Sequence, residues 1–231
     1  MDVFVLLHRS QGTQVQEGYN VFRIKVDNYS GPVAVYPVRF IGTSPNNTCP
    51  VRNPQSRSGD GFYYADVMFN HDGTWKLNVV LSGGDTARLD MNVVVHPRGW
   101  VRRKPWRGGN PRRMIYEFRP DKGLTPTSNP ASLYVTWAIP SGPGGPLNPA
   151  NFYVAKVDTI SEVRIDTWMP SMSHGSPGND KATHQPNGFG HYKGKVGFNM
   201  NGDWHIYLTF MRAGTQDSVL RDTIALNLPL Q

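Results

Sequence analysis

Cysteine is almost missing from this sequence: Cys49 stands alone among 231 residues. One thiol excludes an intrachain disulfide and a cysteine-based zinc cluster, and low cysteine use fits either redox compartment. No apolar run approaches the ~20 residues that a membrane-spanning helix needs. The opening MDVFVLLHRS is apolar in its middle but has neither a basic start nor a small-residue cleavage site, so it does not read as a signal peptide. Charged side chains are sparse at 18%, while apolar and aromatic content is ordinary, which excludes a disordered chain. No stretch combines a helical period with caps.

Catalytic signatures are missing too. The sequence holds no Gly-x-Ser-x-Gly elbow, no phosphate-binding glycine loop and no His-Glu-x-x-His pair. Cys49 lies between Thr48 and Pro50, with no helix start to lower its pKa. The run from Gly142 to Pro146 is rich in glycine, but its prolines remove the amide donors that a phosphate cradle requires. The 17 acidic residues show no evident pairing. The chain therefore reads as a non-enzyme, with no catalytic residues.

Turn chemistry, by contrast, is abundant. Gly 24 and Pro 19 together make up a fifth of the chain, against about 12% in ordinary domains. The length allows one or two domains, and an internal repeat decides between them. Residues 61–75 and 190–204 align without a gap at an offset of 129, with seven of fifteen positions identical. The shared pairs are Gly61/Gly190, Tyr63/Tyr192, Val67/Val196, Phe69/Phe198, Asn70/Asn199, Gly73/Gly202 and Trp75/Trp204. In each copy alternating apolar residues lead into Asn-x-x-Gly turn chemistry, and a second alternating run follows from the tryptophan. That is the pattern of a β-hairpin with an aromatic core face.

Further strands are expected at 3–7, 19–26, 33–40 and 88–95 in the first copy. The second copy is expected to hold strands at 133–139, 151–157, 162–168 and 218–228. Six or seven short strands per copy predict two tandem immunoglobulin-like β-sandwich domains, at 2–96 and 132–229. A basic linker is expected at 97–131. Between Arg98 and Lys122 nine basic residues face only Glu117 and Asp121, so this segment carries the +7 of the whole chain. Arg102, Arg103, Trp106, Arg107, Arg112 and Arg113 are the candidate docking residues. Such a segment suits an acidic protein surface or anionic lipid headgroups. Nucleic acid ranks last, because no recognised binding motif accompanies the charge.

The second copy carries Trp168-Met-Pro-Ser-Met-Ser-His174, then Gly190-His-Tyr192, then Phe198-Asn-Met-Asn-Gly-Asp-Trp204. This order resembles the YtkA-like/FixH-like family of small extracytoplasmic β-sandwich domains, over about 151–210 and more weakly over 18–81. The first copy departs from the pattern: its loop at 41–50 has neither Met nor His, and His71 replaces Met200. The resemblance implies an accessory protein near respiratory membrane complexes or copper handling, periplasmic or otherwise extracytoplasmic and peripheral to the membrane.

Copper is the candidate cofactor, with Met169, Met172, His174 and Met200 as ligands and His184 or His191 as a further donor. Thioether sulfur is a soft ligand suited to Cu(I), and imidazole also takes Cu(II). The competing reading makes Met169 and Met200 gap-filling core residues, and strand alternation puts Met200 on the inward face with Phe198. The sequence thus predicts a scaffolding subunit docked on a larger membrane-associated assembly, with electron-transfer complexes among the candidates. The alternative is a copper-binding or copper-delivery protein. A third reading, carbohydrate or adhesion binding, requires an exposed aromatic platform.

Overall fold

The computed structural model describes residues 2–8, 14–54, 56–106, 112–138, 152–156, 158–186 and 188–229. These residues form β-strands and no α-helix, and the chain divides into two compact units. Unit 1 comprises Met1–Val101 with Ala138–Tyr153; unit 2 comprises Arg102–Trp137 with Val154–Gln231.

Unit 1 contains β1 (Val3–Leu7), β2 (Gly18–Val26), β3 (Val33–Ile41), β4 (Ser44–Thr48), β5 (Val51–Arg52), β6 (Tyr63–Phe69), β7 (Gly73–Leu81) and β8 (Thr86–Val93). They form two four-stranded sheets, ordered β1-β2-β6-β5 and β4-β3-β7-β8. This is the immunoglobulin order, four strands ABED facing CFG, with β4 added beside the C strand. Alternation along β2, β6, β3 and β7 sends Phe22, Ile24, Tyr63, Phe69, Trp75 and Leu77 into one buried core between the sheets. The Trp75 ring meets Phe69 edge-on at 5.1 Å, a preferred aromatic geometry.

Unit 2 contains β9 (Val101–Pro105), β10 (Arg113–Pro120), β11 (Ser128–Ala138), β13 (Ile160–Met169), β14 (His174–Gly175), β15 (Asp180–His184), β16 (His191–Gly197), β17 (Gly202–Arg212) and β18 (Ser218–Leu228). The short strand β12 (Phe152–Val154) precedes β13. The main path runs β18-β17-β13-β15-β16-β11-β10-β9. Strands β10, β11, β16 and β15 stand in for A, B, E and D, and β13, β17 and β18 for C, F and G. The two sheets merge because β13 also pairs with β15, at Glu162↔Thr183 and Val163↔Ala182.

Conserved hydrogen bonds tie the two strand orders together. Trp75 Nε1 donates to the His71 carbonyl at 3.1 Å, and Trp204 Nε1 to the Met200 carbonyl at 3.0 Å. Tyr63 Oη donates to Gly31 O, and Tyr192 Oη to Ile160 O, both at 2.8 Å. In β2, Asn20 Nδ2 donates to Gln16 O and Gly18 O. In β11, Asn129 Nδ2 does the same to Thr125 O and Thr127 O. Asn20 sits opposite Val67 and Asn129 opposite Val196.

These equivalences correct two expectations. The stretch expected as a linker, 97–131, holds strands instead: β9 from Arg102 onward, β10 and the start of β11 belong to unit 2, and residues 107–111 lie outside the described residues. The charge of that segment conceals β10, whose Met114, Ile115, Tyr116 and Phe118 are buried and whose Glu117 is buried beside Arg119. The strand expected at 133–139 lies within β11, which pairs with β16 and so matches β2 rather than β1. Ile139, Asn151, Val157 and the run from Gly142 to Pro146 lie outside the described residues.

Candidate functional site

The segments that carry Met169, Met172, His174 and Met200 adjoin the start of β17. Strand β13 ends at Met169, and a single 3-10 turn, Pro170–Met172, follows. Ser173 then adopts left-handed backbone (φ 53), a conformation costly for a non-glycine residue. The reversal lets β14 pair back on β13, with His174 directly opposite Met169. Asp203 secures the turn, accepting the Ser171 N–H at 3.1 Å and the Ser171 hydroxyl. These Ser171 bonds hold the Asp203 carboxyl below its ordinary pKa.

The four candidate ligands differ in access. Met169 is buried, and its methyl group lies where a Cβ on Gly202 would stand, 2.5 Å away. Gly202 therefore serves both its backbone angle (φ 141) and the packing of Met169. Met172 is 59% and Met200 38% exposed. Met200 is not inward beside Phe198, because β16 ends at Gly197 and residues 198–201 form the turn, where alternation no longer applies. The His174 ring meets the edge of Trp204 at 5.8 Å, and Nδ1 lies 2.8 Å from the Gly175 carbonyl. An Nδ1–H donated there leaves Nε2 with its lone pair, the tautomer that suits metal binding.

The other two histidines belong to a different face. His191 stacks on Tyr134 at 4.8 Å, and its Nε2 lies 3.0 Å from Ser132 Oγ. Burial, followed by the Lys193 ammonium, lowers the His191 pKa. His184 lies edge-on to Tyr192 at 5.2 Å. Among the described residues, no three of His, Cys, Asp and Glu gather as metal ligands. Cys49 is fully buried, and burial pushes its thiol pKa well up, the reverse of an activated nucleophile.

The basic candidates sit on the β9–β10 hairpin, where Trp106 N–H donates to Arg112 O. Arg112 lies 4.3 Å above the Trp137 ring and 5.4 Å from the Trp106 ring. The two indoles are themselves 6.1 Å apart. Lys104 Nζ bonds Asp222 Oδ1 at 2.9 Å, while Tyr116 Oη donates to Oδ2 at 2.7 Å. Burial opposes ionisation of Asp222, but the Lys104 and Tyr116 bonds outweigh it and its pKa falls. Tyr116 moves far up, through burial and the Asp222 charge. Arg103 and Arg113 are exposed and Arg102 is half-buried. Arg107 lies outside the described residues.

The missed feature is aromatic and lies on the outer face of the β13–β17–β18 sheet. Trp168 is 40% and Tyr207 38% exposed, with half-buried His205 directly opposite Trp168. The period-2 signal marks inward residues, and an outward tryptophan carries no separate mark in a sequence.

The YtkA-like family matches residues 154–209, less than half of the chain and within unit 2. No curated protein matches the sequence. Among solved structures, the chain is similar to the D0-D1 domain of intimin at 10% identity and a TM-score of 0.31, covering 96% of this chain and 97% of that one. Domains 5-6 of the S-layer protein SbsC share 15% identity at a TM-score of 0.31, covering 97% and 96%. The Escherichia coli adhesin FdeC shares 12% identity at a TM-score of 0.29, covering 97% of this chain and 63% of that one.

Proposed function

We propose that the protein is a non-catalytic accessory subunit that docks on the acidic surface of a larger membrane-associated assembly outside the cytoplasm. The observation that carries this reading is the β9–β10 hairpin. It carries Arg102, Arg103 and Arg113 near an Arg112 that stacks on the Trp137 ring at 4.3 Å, with the Trp106 ring 5.4 Å away. Arginine and tryptophan are the residue types that anchor interfaces. Stacking also fixes the Arg112 guanidinium before a partner arrives, so less ordering entropy is lost on binding. Lys104 and Arg119 are engaged with Asp222 and Glu117. Unit 1, with the same strand order and the same tryptophan and asparagine hydrogen bonds, is a diverged copy of the YtkA-like unit.

Replacing Arg102, Arg103, Arg112 and Arg113 by Gln should weaken association with anionic vesicles and with native membranes about tenfold. It should also flatten the salt dependence, because the steering charges are removed. Equal affinity and an equal salt slope in the two proteins would overturn the docking role.

A second reading rests on a different observation, the turn that carries Met172 and His174 being tied to the start of β17, next to the turn of Met200. Two exposed thioethers and one imidazole Nε2 form a soft donor set that fits Cu(I), with Met169 packed beneath as support. Copper bound there would be delivered or stored rather than used in catalysis. Cu(I) titration against a competing chelator should give at least tenfold weaker binding in the Met172→Leu/His174→Gln/Met200→Leu variant. Unchanged affinity removes this reading.

A further inference from the structure

The outer face of the β13–β17–β18 sheet carries the unassigned aromatic side chains of unit 2. Register places Trp168 opposite His205, and His205 opposite Ala225. The neighbouring row is Asp166, Tyr207 and Thr223, and the next is Arg164, Thr209 and Arg221. Rows on one face of a sheet repeat at about 6.6 Å and strands at about 4.8 Å. Trp168 and Tyr207 therefore stand on a diagonal about 7–8 Å apart. His205 is the third ring, 6.1 Å from Tyr207 and at right angles to it.

The copy in unit 1 shows that the fold does not require these rings. Lys76 and Asn78 occupy the positions of His205 and Tyr207 at the repeat offset. There Lys76 pairs with Asp90 at 2.8 Å, and Asn78 Nδ2 bonds Tyr36 O. Val38, opposite Lys76, takes the place of Trp168 and is buried. That face of unit 1 also holds rings, Tyr36 opposite Asn78 and Phe40 beneath Lys76 at 5.5 Å, but both are half-buried and their polar neighbours are engaged, whereas in unit 2 Trp168 and Tyr207 stand exposed.

We infer that the Trp168–His205–Tyr207 face binds a neutral saccharide chain. Stacking of apolar sugar faces needs exposed aromatic rings on a rigid support, and a central sheet strand supplies one. Sugar hydroxyls need hydrogen-bonding groups between the rings, and Asp166, Thr209 and Thr223 provide carboxylate and hydroxyl partners there. The charges identify the ligand as neutral. Asp166 and Asp203 balance Arg164 and Arg221, and Glu162, which bonds Arg164, is balanced by Lys181 at 2.6 Å. A face with no net charge, on a chain carrying +7, offers nothing to an acidic partner. A protein hot spot differs in kind, because it centres on a contiguous apolar core, whereas here polar side chains separate the rings.

Affinity electrophoresis of the full chain through gels containing soluble cellulose, chitin, mannan or glucan derivatives tests the inference. At least one neutral polysaccharide should retard the protein. Trp168→Ala and Tyr207→Ala should each weaken that binding at least tenfold, and Lys76→Ala should leave it unchanged. Tyr207→Ser provides an independent variant should Trp168→Ala destabilise β13. Binding of the matching oligosaccharide should also alter tryptophan fluorescence in the wild type. The inference is overturned if none of these polysaccharides retards the protein, or if retardation persists undiminished in Tyr207→Ala and Tyr207→Ser.

Discussion

The two units share a strand order and part company where strands end or face outward. Each buries one tryptophan at the start of its F strand, with the indole N–H returned to the turn four residues earlier. Each hangs its B strand on an asparagine that caps two carbonyls of the preceding turn. Positions that close the core are held by packing and buried hydrogen bonds, which tolerate few substitutes. Positions on the turn and outer face are free of that constraint. There His71 gives way to Met200, and Lys76 and Asn78 to His205 and Tyr207. What is common builds the sandwich, and what differs lies on the turn and the outer face.

The sharpest way to break this comparison is at the paired tryptophans. Trp75→Ala and Trp204→Ala should each cost about 3–5 kcal/mol, as expected for truncating a fully buried aromatic. Hydrogen exchange resolved along the chain should show the loss in the unit that carries the substitution. A loss much smaller in one unit would show that its tryptophan does not hold the core.

The paired glycines give the next effect. A Cβ on Gly190 would stand 2.0 Å from the Val135 carbonyl oxygen, whereas one on Gly61 meets only the flexible Arg57 side chain, at 3.3 Å. Both have positive φ. Gly61→Ala should therefore cost about 1 kcal/mol from backbone conformation alone. Gly190→Ala should cost about 3 kcal/mol, because the β11 backbone must move. Chemical denaturation of the two variants checks the ranking.

Buried carboxylates sharpen the comparison further. Unit 1 holds Asp66 with Arg52 and Tyr19, and unit 2 holds Asp222 with Lys104 and Tyr116. Asp222→Asn should cost about 1–2 kcal/mol at neutral pH. The folded-state pKa of Asp222 lies below its ordinary 3.8. Its contribution is therefore complete above that value and disappears as pH falls through the lower, folded one. Denaturation at several acidic pH values should show a shallower acid loss in the variant.

The smallest effect concerns His191, whose counterpart at the repeat offset is Phe62, stacked by Arg23 at 3.9 Å. Burial and Lys193 lower the His191 pKa from 6.5, against partial support from Asp121 and further opposition from Arg119 and His184. A depressed histidine favours the folded state above its unfolded pKa. That support is lost as pH falls through 6.5 toward the folded value. His191→Gln should remove a few tenths of a kcal/mol of pH dependence in this window. Thermal melts at pH 7.5 and 5 measure it, and an unaltered difference between the two melts would show that His191 is not the group responsible.

The duplicated hairpin was legible because three signals coincide there: period-2 alternation, turn glycines and a repeated tryptophan. The A strand of unit 2 was not, and its B strand was legible only in its second half and without its match to β2, for two physical reasons. Strand β10 carries a buried Glu117 neutralised by Arg119, so its sequence looks like a charged linker. The asparagine caps also sit at an offset of 109 rather than 129, so a fixed-offset comparison slides past them. At the candidate site, donor type and spacing single out Met172 and His174, which the structure places exposed and half-buried. The access of Met200 was not, because alternation was carried past the end of β16. The exposure of Trp168 depends on which neighbours cover it, which no local pattern encodes.

Strand β9 has one consequence beyond its charge. It lies alongside β10, the A strand of unit 2, so the amide row on that side already has a partner. In unit 1 the A strand, β1, ends its sheet and turns Phe4 and Leu6 outward, 49% and 53% exposed. Strand β9 in turn ends that sheet, and its Arg102, Arg103, Lys104 and Pro105 are the charges and proline that discourage a further strand from pairing, whereas β1, made of Val, Phe and Leu, offers accretion of chains the better template.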